Sequence, residues 1–154
     1  MKYNKKINAF TLSEMIVVLI LTTIVVGLAF SVLTLVQNHI NSIQNNFNNT
    51  TQFNKLEQSL TLDFNRFSKI EFNELEDKLL FSNEIETKAY MFKDSFIVKD
   101  IDTFYISINK KALYFEGSLK QSGTLDAIKI ETSKAFQNKN LFVFKKNDAT
   151  QFMN

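Results

Sequence analysis

An uncharged run of 22 residues near the N-terminus limits the folds open to this chain more than any other feature. Residues 15–36 contain no ionisable side chain, and their polar members are hydroxyls that can bond back to helix carbonyls, namely Thr22, Thr23, Ser31 and Thr34. At about 1.5 Å per residue, such a helix spans roughly 33 Å, enough to cross a bilayer core. A chain of 154 residues has little core in which to bury it. We therefore interpret the run as a membrane-spanning helix.

The charges on either side of this run predict its orientation. Lys2, Lys5 and Lys6 precede it, whereas no lysine or arginine follows it until Lys55. Basic residues are retained on the cytoplasmic side of a membrane span. We therefore expect a cytoplasmic N-terminus and export of the chain from residue 37 onward.

The residues just before the run have an unusual order. Ala9 is followed by Phe10, Thr11, Leu12 and Ser13, and then by the single carboxylate of Glu14. A secretory signal peptide would place the small residue after the apolar run, where no small-x-small pattern occurs. A carboxylate at an apolar boundary is costly, so it predicts a functional role and a cationic partner.

This stretch resembles the N-terminus of type IV pilins and of type II secretion pseudopilins. Members of that family have a short basic leader, a small residue, Phe-Thr-Leu-x-Glu and an apolar helix. The resemblance covers about the first 35 residues, with Ala9 where glycine is usual and Ser13 where many members have isoleucine. It implies that a prepilin peptidase removes leader residues 1–9, including Lys2, Lys5 and Lys6, by cutting between Ala9 and Phe10.

The resemblance also implies the chemistry that follows cleavage. The new amine of Phe10 would be N-methylated, and Glu14 would neutralise the N-terminal amine of a neighbouring subunit during filament assembly. The expected partners are the prepilin peptidase, sister pilin or pseudopilin subunits, the inner-membrane assembly platform and the lipid bilayer. The expected location is the bacterial inner membrane, with the C-terminal head outside the cytoplasm.

Apolar residues keep helical spacing beyond the membrane run. Those separated mostly by three or four positions are Ile40, Ile43, Phe47, Phe53, Leu56, Leu60, Phe64, Phe67 and Ile70. The spacing predicts an amphipathic continuation over residues 37–72 of the transmembrane helix of residues 10–36. Residues 45–51 are rich in asparagine and threonine, which are poor helix formers. They predict either a loosened turn or a helix that tolerates a polar patch.

Beyond residue 72 the pattern changes to short runs rich in Phe, Tyr, Ile and Val, which are typical of strands. The candidate strands are 78–81, 89–92, 95–98, 103–108, 112–115, 127–131 and 141–144. Alternation in "TFYISI" and "AIKIE" predicts one buried face. The predicted fold class is α+β: a long N-terminal helix and a β-rich head over residues 73–154, whose antiparallel sheet packs on the C-terminal half of the helix. The pilin-like resemblance implies the same fold.

The composition argues against catalysis. The chain has one histidine (His39), no cysteine and three glycines, so nucleophile arrangements and phosphate-binding loops have almost nothing to build on. Asp94, Asp100 and Asp102 match no calcium-loop spacing. We expect a protein that is not an enzyme, with no cofactor and no metal. The net charge of +2 does not by itself indicate a nucleic-acid partner.

The predicted function is that of a pilin-like structural subunit, a minor pseudopilin of a type II secretion system. Residues 53–67 resemble the helix of J-type minor pseudopilins, in which Asp63 and Arg66 would pair across one turn. The alternatives are a minor pilin of a type IV pilus or DNA-uptake filament, and a single-pass anchored domain that forms no filament. A DNA role would require the basic residues of segment 103–154 to bind phosphate.

Overall fold

The computed structural model describes residues 11–145, and the chain divides into two compact units, Met1–Gln44 and Asn45–Asn154. Helix α1 covers Leu12–Arg66. Residues 45–51 are part of this helix, so the predicted helix that tolerates a polar patch is observed rather than a loosened turn. Within the second unit, which we call the head, Asn49 Nδ2 donates to the carbonyl of Ala135 at 2.8 Å. Lys139 Nζ donates to Thr50 Oγ1 at 3.2 Å, and these two bonds tie the polar stretch of the helix to residues 135–139.

Helix α1 ends at Arg66, earlier than the end predicted near residue 72. The N–H of Phe67 donates to the carbonyl of Asp63 at 3.0 Å. The chain then becomes a strand in which Ile70 and Phe72 are buried on one face. Phe67 and Ile70 are three residues apart, which is also the spacing of a helix face. The sequence pattern therefore predicted helix where the chain turns and begins a strand.

The head contains two antiparallel sheets, where the sequence predicted one. The first is formed by β1 (Lys69–Asn73), β2 (Lys78–Ser82), β3 (Thr87–Phe92), β4 (Ile97–Lys99), β5 (Asp102–Phe104) and β8 (Gly123–Thr124), in the order β5-β4-β3-β2-β1-β8. The second is formed by β6 (Ile108–Phe115), β7 (Ser118–Lys120), β9 (Ala127–Thr132) and β10 (Asn140–Phe144), in the order β10-β9-β6-β7. A 3₁₀ turn at Lys134–Phe136 follows β9. The predicted α+β class with a pilin-like architecture is confirmed.

Most predicted strands lie within observed ones, and the clearest exception is residues 103–108. Phe104 ends β5 in the first sheet, whereas Ile108 begins β6 in the second. Phe104 and Ile106 are both buried, so the alternation was real. The chain changes sheets between them, where the N–H of Ile106 donates to the carbonyl of Phe104 at 3.0 Å. Strands β1, β7 and β8 were not predicted.

The core lies between α1 and the sheets of the head. Leu56, Leu60 and Phe64 of α1 are fully buried, and they cluster with strand residues such as Phe81 and Ile130. The predicted helical stripe is therefore confirmed as core from Phe53 to Phe64, whereas Phe67 and Ile70 are buried beyond the end of α1. The earlier members of the stripe are instead 48–70% exposed, namely Ile40, Ile43 and Phe47. They remain an apolar surface of the helix.

A buried polar cluster joins α1 to the first sheet. Asp63 Oδ2 accepts a hydrogen bond of 2.5 Å from the Tyr90 hydroxyl and forms a 2.7 Å ion pair with Lys99 Nζ. Lys99 Nζ also donates to Ser59 Oγ at 2.8 Å. The expected pair of Asp63 with Arg66 does not form, because Asp63 faces the sheet. Arg66 instead pairs with Glu86 at 2.6 Å.

The Tyr90 hydroxyl should resist ionisation as long as the head is folded. Burial of the hydroxyl is the main cause that raises the pKa of Tyr90, and its hydrogen bond to the Asp63 carboxylate is the second. The unfolded chain releases this proton at its ordinary pKa of about 10, so the stabilising contribution is complete below that pH and declines above it. Spectroscopic titration of phenolate absorbance should show one tyrosine fewer titrating before unfolding than after it. Tyr90→Phe should remove this difference, and a wild-type chain whose tyrosines all titrate near 10 before unfolding would contradict it.

Candidate functional site

The N-terminus of α1 is closed by two side chains of the motif itself. Thr11 precedes the first helical residue, Leu12, and its backbone N–H donates to Glu14 Oε2 at 2.9 Å. The Thr11 hydroxyl donates to the same oxygen at 2.9 Å, and the N–H of Glu14 donates to Thr11 Oγ1 at 3.3 Å. This reciprocal pattern is a capping box, which satisfies N–H groups that the first turn of a helix cannot pair.

Glu14 therefore has a role within its own chain that the sequence analysis missed. The signal was present, since Thr-x-x-Glu before an apolar helix is the spacing of a capping box. Both bonds to the carboxylate use Oε2, and no hydrogen bond joins Oε1 to any residue between 11 and 145. The exposed second oxygen can accept a bond from an external cation while the cap stays intact.

The other predicted site residues lie outside the described part of the chain. Ala9 and Phe10, which flank the expected cleavage point, belong to this group, as do Lys2, Lys5 and Lys6. Cleavage and N-methylation therefore stay predictions here.

The apolar segment behind Glu14 is exposed on all sides of the helix. All of residues 15–36 are exposed, and α1 is the one described helix long and apolar enough to cross a membrane. The hydroxyls of Thr22, Thr23 and Thr34 donate to carbonyls three or four residues earlier, at 2.8–3.0 Å. These threonines therefore leave no unpaired hydroxyl proton to oppose transfer into lipid.

The exposed apolar surface extends beyond the membrane run along one side of the helix. Leu33, Val36, Ile40, Ile43 and Phe47 follow one another at spacings of three and four, and each is at least 46% exposed. This is the spacing of residues that pack against a second helix. Residues 15–54 contain a single titratable side chain, His39, so copies of this segment can approach one another with little charge repulsion.

The described residues contain one arrangement that superficially resembles a catalytic pair. Ser59 Oγ lies 2.8 Å from Lys99 Nζ. The ion pair with Asp63 engages Lys99 as an ammonium, and an ammonium cannot accept the serine proton. Between residues 11 and 145, no group of three or more His, Cys, Asp or Glu side chains is placed to hold a metal ion.

Comparison with protein families gives a match that lies on this site. Residues 4–30 match the family model described as the prokaryotic N-terminal methylation motif. No curated protein and no solved structure matches the chain significantly. The motif supports a pilin-like subunit, and it implies processing by a prepilin peptidase and assembly with other pilin subunits. Proteins with this motif are structural rather than enzymatic, and the long apolar helix is consistent with a single-pass membrane anchor.

Proposed function

We propose that this protein is a minor pseudopilin of a type II secretion system, a structural subunit that joins a short filament based in the inner membrane. The observation that carries the proposal is the methylation motif over residues 4–30, which places Glu14 at the N-terminal boundary of an exposed apolar helix. The absence of cysteine supports a pseudopilin over a pilin with a disulfide-closed C-terminal loop.

In this proposal, processing converts an anchored precursor into a subunit that can assemble. A prepilin peptidase cuts between Ala9 and Phe10 on the cytoplasmic side, and the Phe10 amine is methylated. A methylated amine stays cationic, so it suits the open Oε1 of Glu14 on a neighbouring subunit. Each subunit thus carries one cation and one carboxylate for its neighbours. The pair is neutral in the apolar interior, where an isolated charge is costly.

The exposed side of α1 supplies the packing surface for the same assembly. Before assembly, residues 15–36 lie in lipid, and in the filament they contact the helices of sister subunits. The stripe formed by Ile40, Ile43 and Phe47 continues this surface outside the membrane. Burying the 48–70% of these three side chains that is exposed is favourable by about 1–2 kcal/mol each.

Mass spectrometry of the N-terminal peptide, with protein taken from native membranes, tests the processing step directly. We expect a peptide that begins at Phe10 and carries one additional methyl group. Ala9→Gly should be processed in the same way, because it keeps a small residue before the cut. Ala9→Leu should retain the leader, because a bulky side chain occupies the position where the family has a small one.

A wild-type peptide that still contains Lys5 and Lys6 would contradict the proposal, provided that the peptidase processes a control substrate in the same membranes. That result would leave Glu14 without its partner amine. The chain would then be an anchored domain outside the pseudopilin class.

A further inference from the structure

Strand β10 differs from the other edge strands of the two described sheets. The edge strands β5, β7 and β8 have only two or three residues. Of these, β5 contains the charged Asp102 and β7 contains the charged Lys120. Short strands and charges protect a sheet edge from pairing with another chain. Strand β10 has five residues, Asn140–Phe144, and none of them is charged.

The hydrogen-bonding groups of every second β10 residue point away from the sheet. The N–H of Thr132 donates to the carbonyl of Lys139, and the N–H of Lys145 donates to the carbonyl of Asp126. These bonds place residues 139, 141, 143 and 145 in the pairs that bond to β9, because such pairs alternate along an antiparallel ladder. The backbones of Asn140, Phe142 and Phe144 therefore face outward. Within residues 11–145, no hydrogen bond satisfies their N–H or carbonyl groups.

The side chains beside this edge are apolar on the outer face of the sheet. Phe142 is 55% exposed and Phe144 is 60% exposed, with ring centroids 6.0 Å apart. Tyr114 of β6 packs edge-on against Phe142 at 6.1 Å. A strand added to β10 would place its own outward side chains beside these rings.

The side of α1 beside the β10 edge is polar and carries a carboxylate. Strand β10 begins next to Thr50, which bonds Lys139, and ends where Lys145 Nζ donates to the carbonyl of Phe67 at 2.9 Å. Glu57 and Thr61 follow Thr50 at helical spacing and lie on the same side of α1. Glu57 and Thr61 belong to an open surface depression of α1 whose other lining residues are Asn54, Gln58 and Leu62. Glu57 is exposed and forms no ion pair with a described residue.

We propose that the β10 edge accepts an extended segment of another polypeptide as an additional strand. The segment that fits alternates apolar residues, which contact Phe142 and Phe144, with basic residues that face Glu57. Backbone hydrogen bonds to Asn140, Phe142 and Phe144 supply affinity, and the alternating side chains supply selectivity. This binding site is separate from the assembly motif and does not depend on filament formation.

A different polypeptide fits the edge better than a second copy of this chain. A second copy paired through β10 would supply Asn140–Phe144, which contains no basic residue to face Glu57. A segment of another polypeptide that alternates apolar with basic residues supplies both the apolar contacts to Phe142 and Phe144 and a cation for Glu57.

Amide hydrogen exchange on the full chain in lipid nanodiscs tests the proposal. The probe is a synthetic seven-residue peptide that alternates valine with lysine. We expect the peptide to slow exchange at the amides of Phe142 and Phe144, which face the edge. Exchange at Leu141 and Val143 should not change, because these amides already bond to β9. The absence of added protection at saturating peptide would overturn the proposal.

Two comparisons separate backbone pairing from other contacts, and a third tests the basic character of the segment. Phe142→Pro should weaken peptide affinity about tenfold by removing an outward N–H, and an edge strand tolerates proline at such a position. Phe142→Val, the matched control, keeps the N–H and should lose less affinity for the peptide. A peptide N-methylated at alternate residues should not bind the wild-type chain, which keeps the test valid even if the proline variant misfolds. A peptide with glutamate in place of lysine should bind more weakly, and equal binding would overturn the basic character of the segment.

The same exchange data identify other occupants of the edge. Protection of Phe142 and Phe144 without peptide, at every protein concentration, would show that the chain fills its own edge. Protection that grows with protein concentration would show pairing between copies. Either result would overturn the proposal.

Discussion

Replacing Glu14 with alanine should leave leader cleavage intact and reduce filament incorporation by more than about tenfold, because breaking an ion pair in apolar surroundings costs several kcal/mol. The loss has two physical sources. Alanine removes the carboxylate oxygen that accepts both Thr11 bonds at 2.9 Å. It also removes the charge proposed to pair with the Phe10 amine of a neighbouring subunit. Incorporation is measured as the fraction of processed subunit that sediments with sheared filaments.

Two further variants separate the cap from the charge. Glu14→Gln keeps an oxygen that accepts the Thr11 bonds but carries no charge. Its filament incorporation should therefore fall nearly as far as that of the alanine variant. Thr11→Ala removes the hydroxyl of the cap and keeps the carboxylate, and loss of a cap costs about 1 kcal/mol. Its incorporation should therefore fall only a few-fold. Normal incorporation of Glu14→Gln together with failure of Thr11→Ala would assign the role of Glu14 to capping and contradict the pairing role.

Replacing Asp63 with alanine should destabilise the head by about 3 kcal/mol, because it leaves the partner charge buried and unpaired. Asp63 is 5% exposed and Lys99 is 12% exposed at the side chain, so water solvates neither well. The variant also deprives the Tyr90 hydroxyl of its 2.5 Å acceptor and leaves Ser59 as its described partner. Urea unfolding of the full chain in detergent, followed by near-ultraviolet circular dichroism, measures the change.

The matched controls distinguish a buried unpaired charge from the loss of a side chain. Arg66→Ala removes the exposed partner of Glu86 and should cost less than about 1 kcal/mol, as surface pairs do. Combining Asp63→Ala with Lys99→Met should restore part of the lost stability, because no charge then remains buried. A double variant that is less stable than Asp63→Ala alone would show that Lys99 stabilises the head independently of Asp63.

The order of helix, membrane run and strands was predictable because it follows from local periodicity. Residues 15–36 are uncharged whatever surrounds them, and the spacing of Phe53, Leu56 and Leu60 defines a buried helical stripe. Alternation over residues 127–131 and 141–144 likewise predicted β9 and β10. The short strands β7 and β8 escaped prediction, because two or three residues carry no measurable period.

The motif that contains the candidate site was predictable, whereas the bonds within the site were not. The motif at residues 4–30 is read directly from the order of a small residue, Phe-Thr-Leu and a carboxylate. The bonds between Thr11 and Glu14 depend on where the helix begins, which is a matter of backbone conformation. That both bonds of the cap use Oε2 of Glu14 and leave Oε1 open is visible only in the three-dimensional structure.

The sequence by itself determined the long apolar helix, the N-terminal methylation motif and the change from helix to strands, since each depends on residues that are neighbours in the chain. Only the tertiary structure decided that Asp63 pairs with Lys99 rather than Arg66, and that residues 103–108 divide between two sheets. It also decided that β10 is an open edge. These features depend on contacts between residues distant in sequence. Such contacts are selected by the packing of the whole core, which no local pattern encodes.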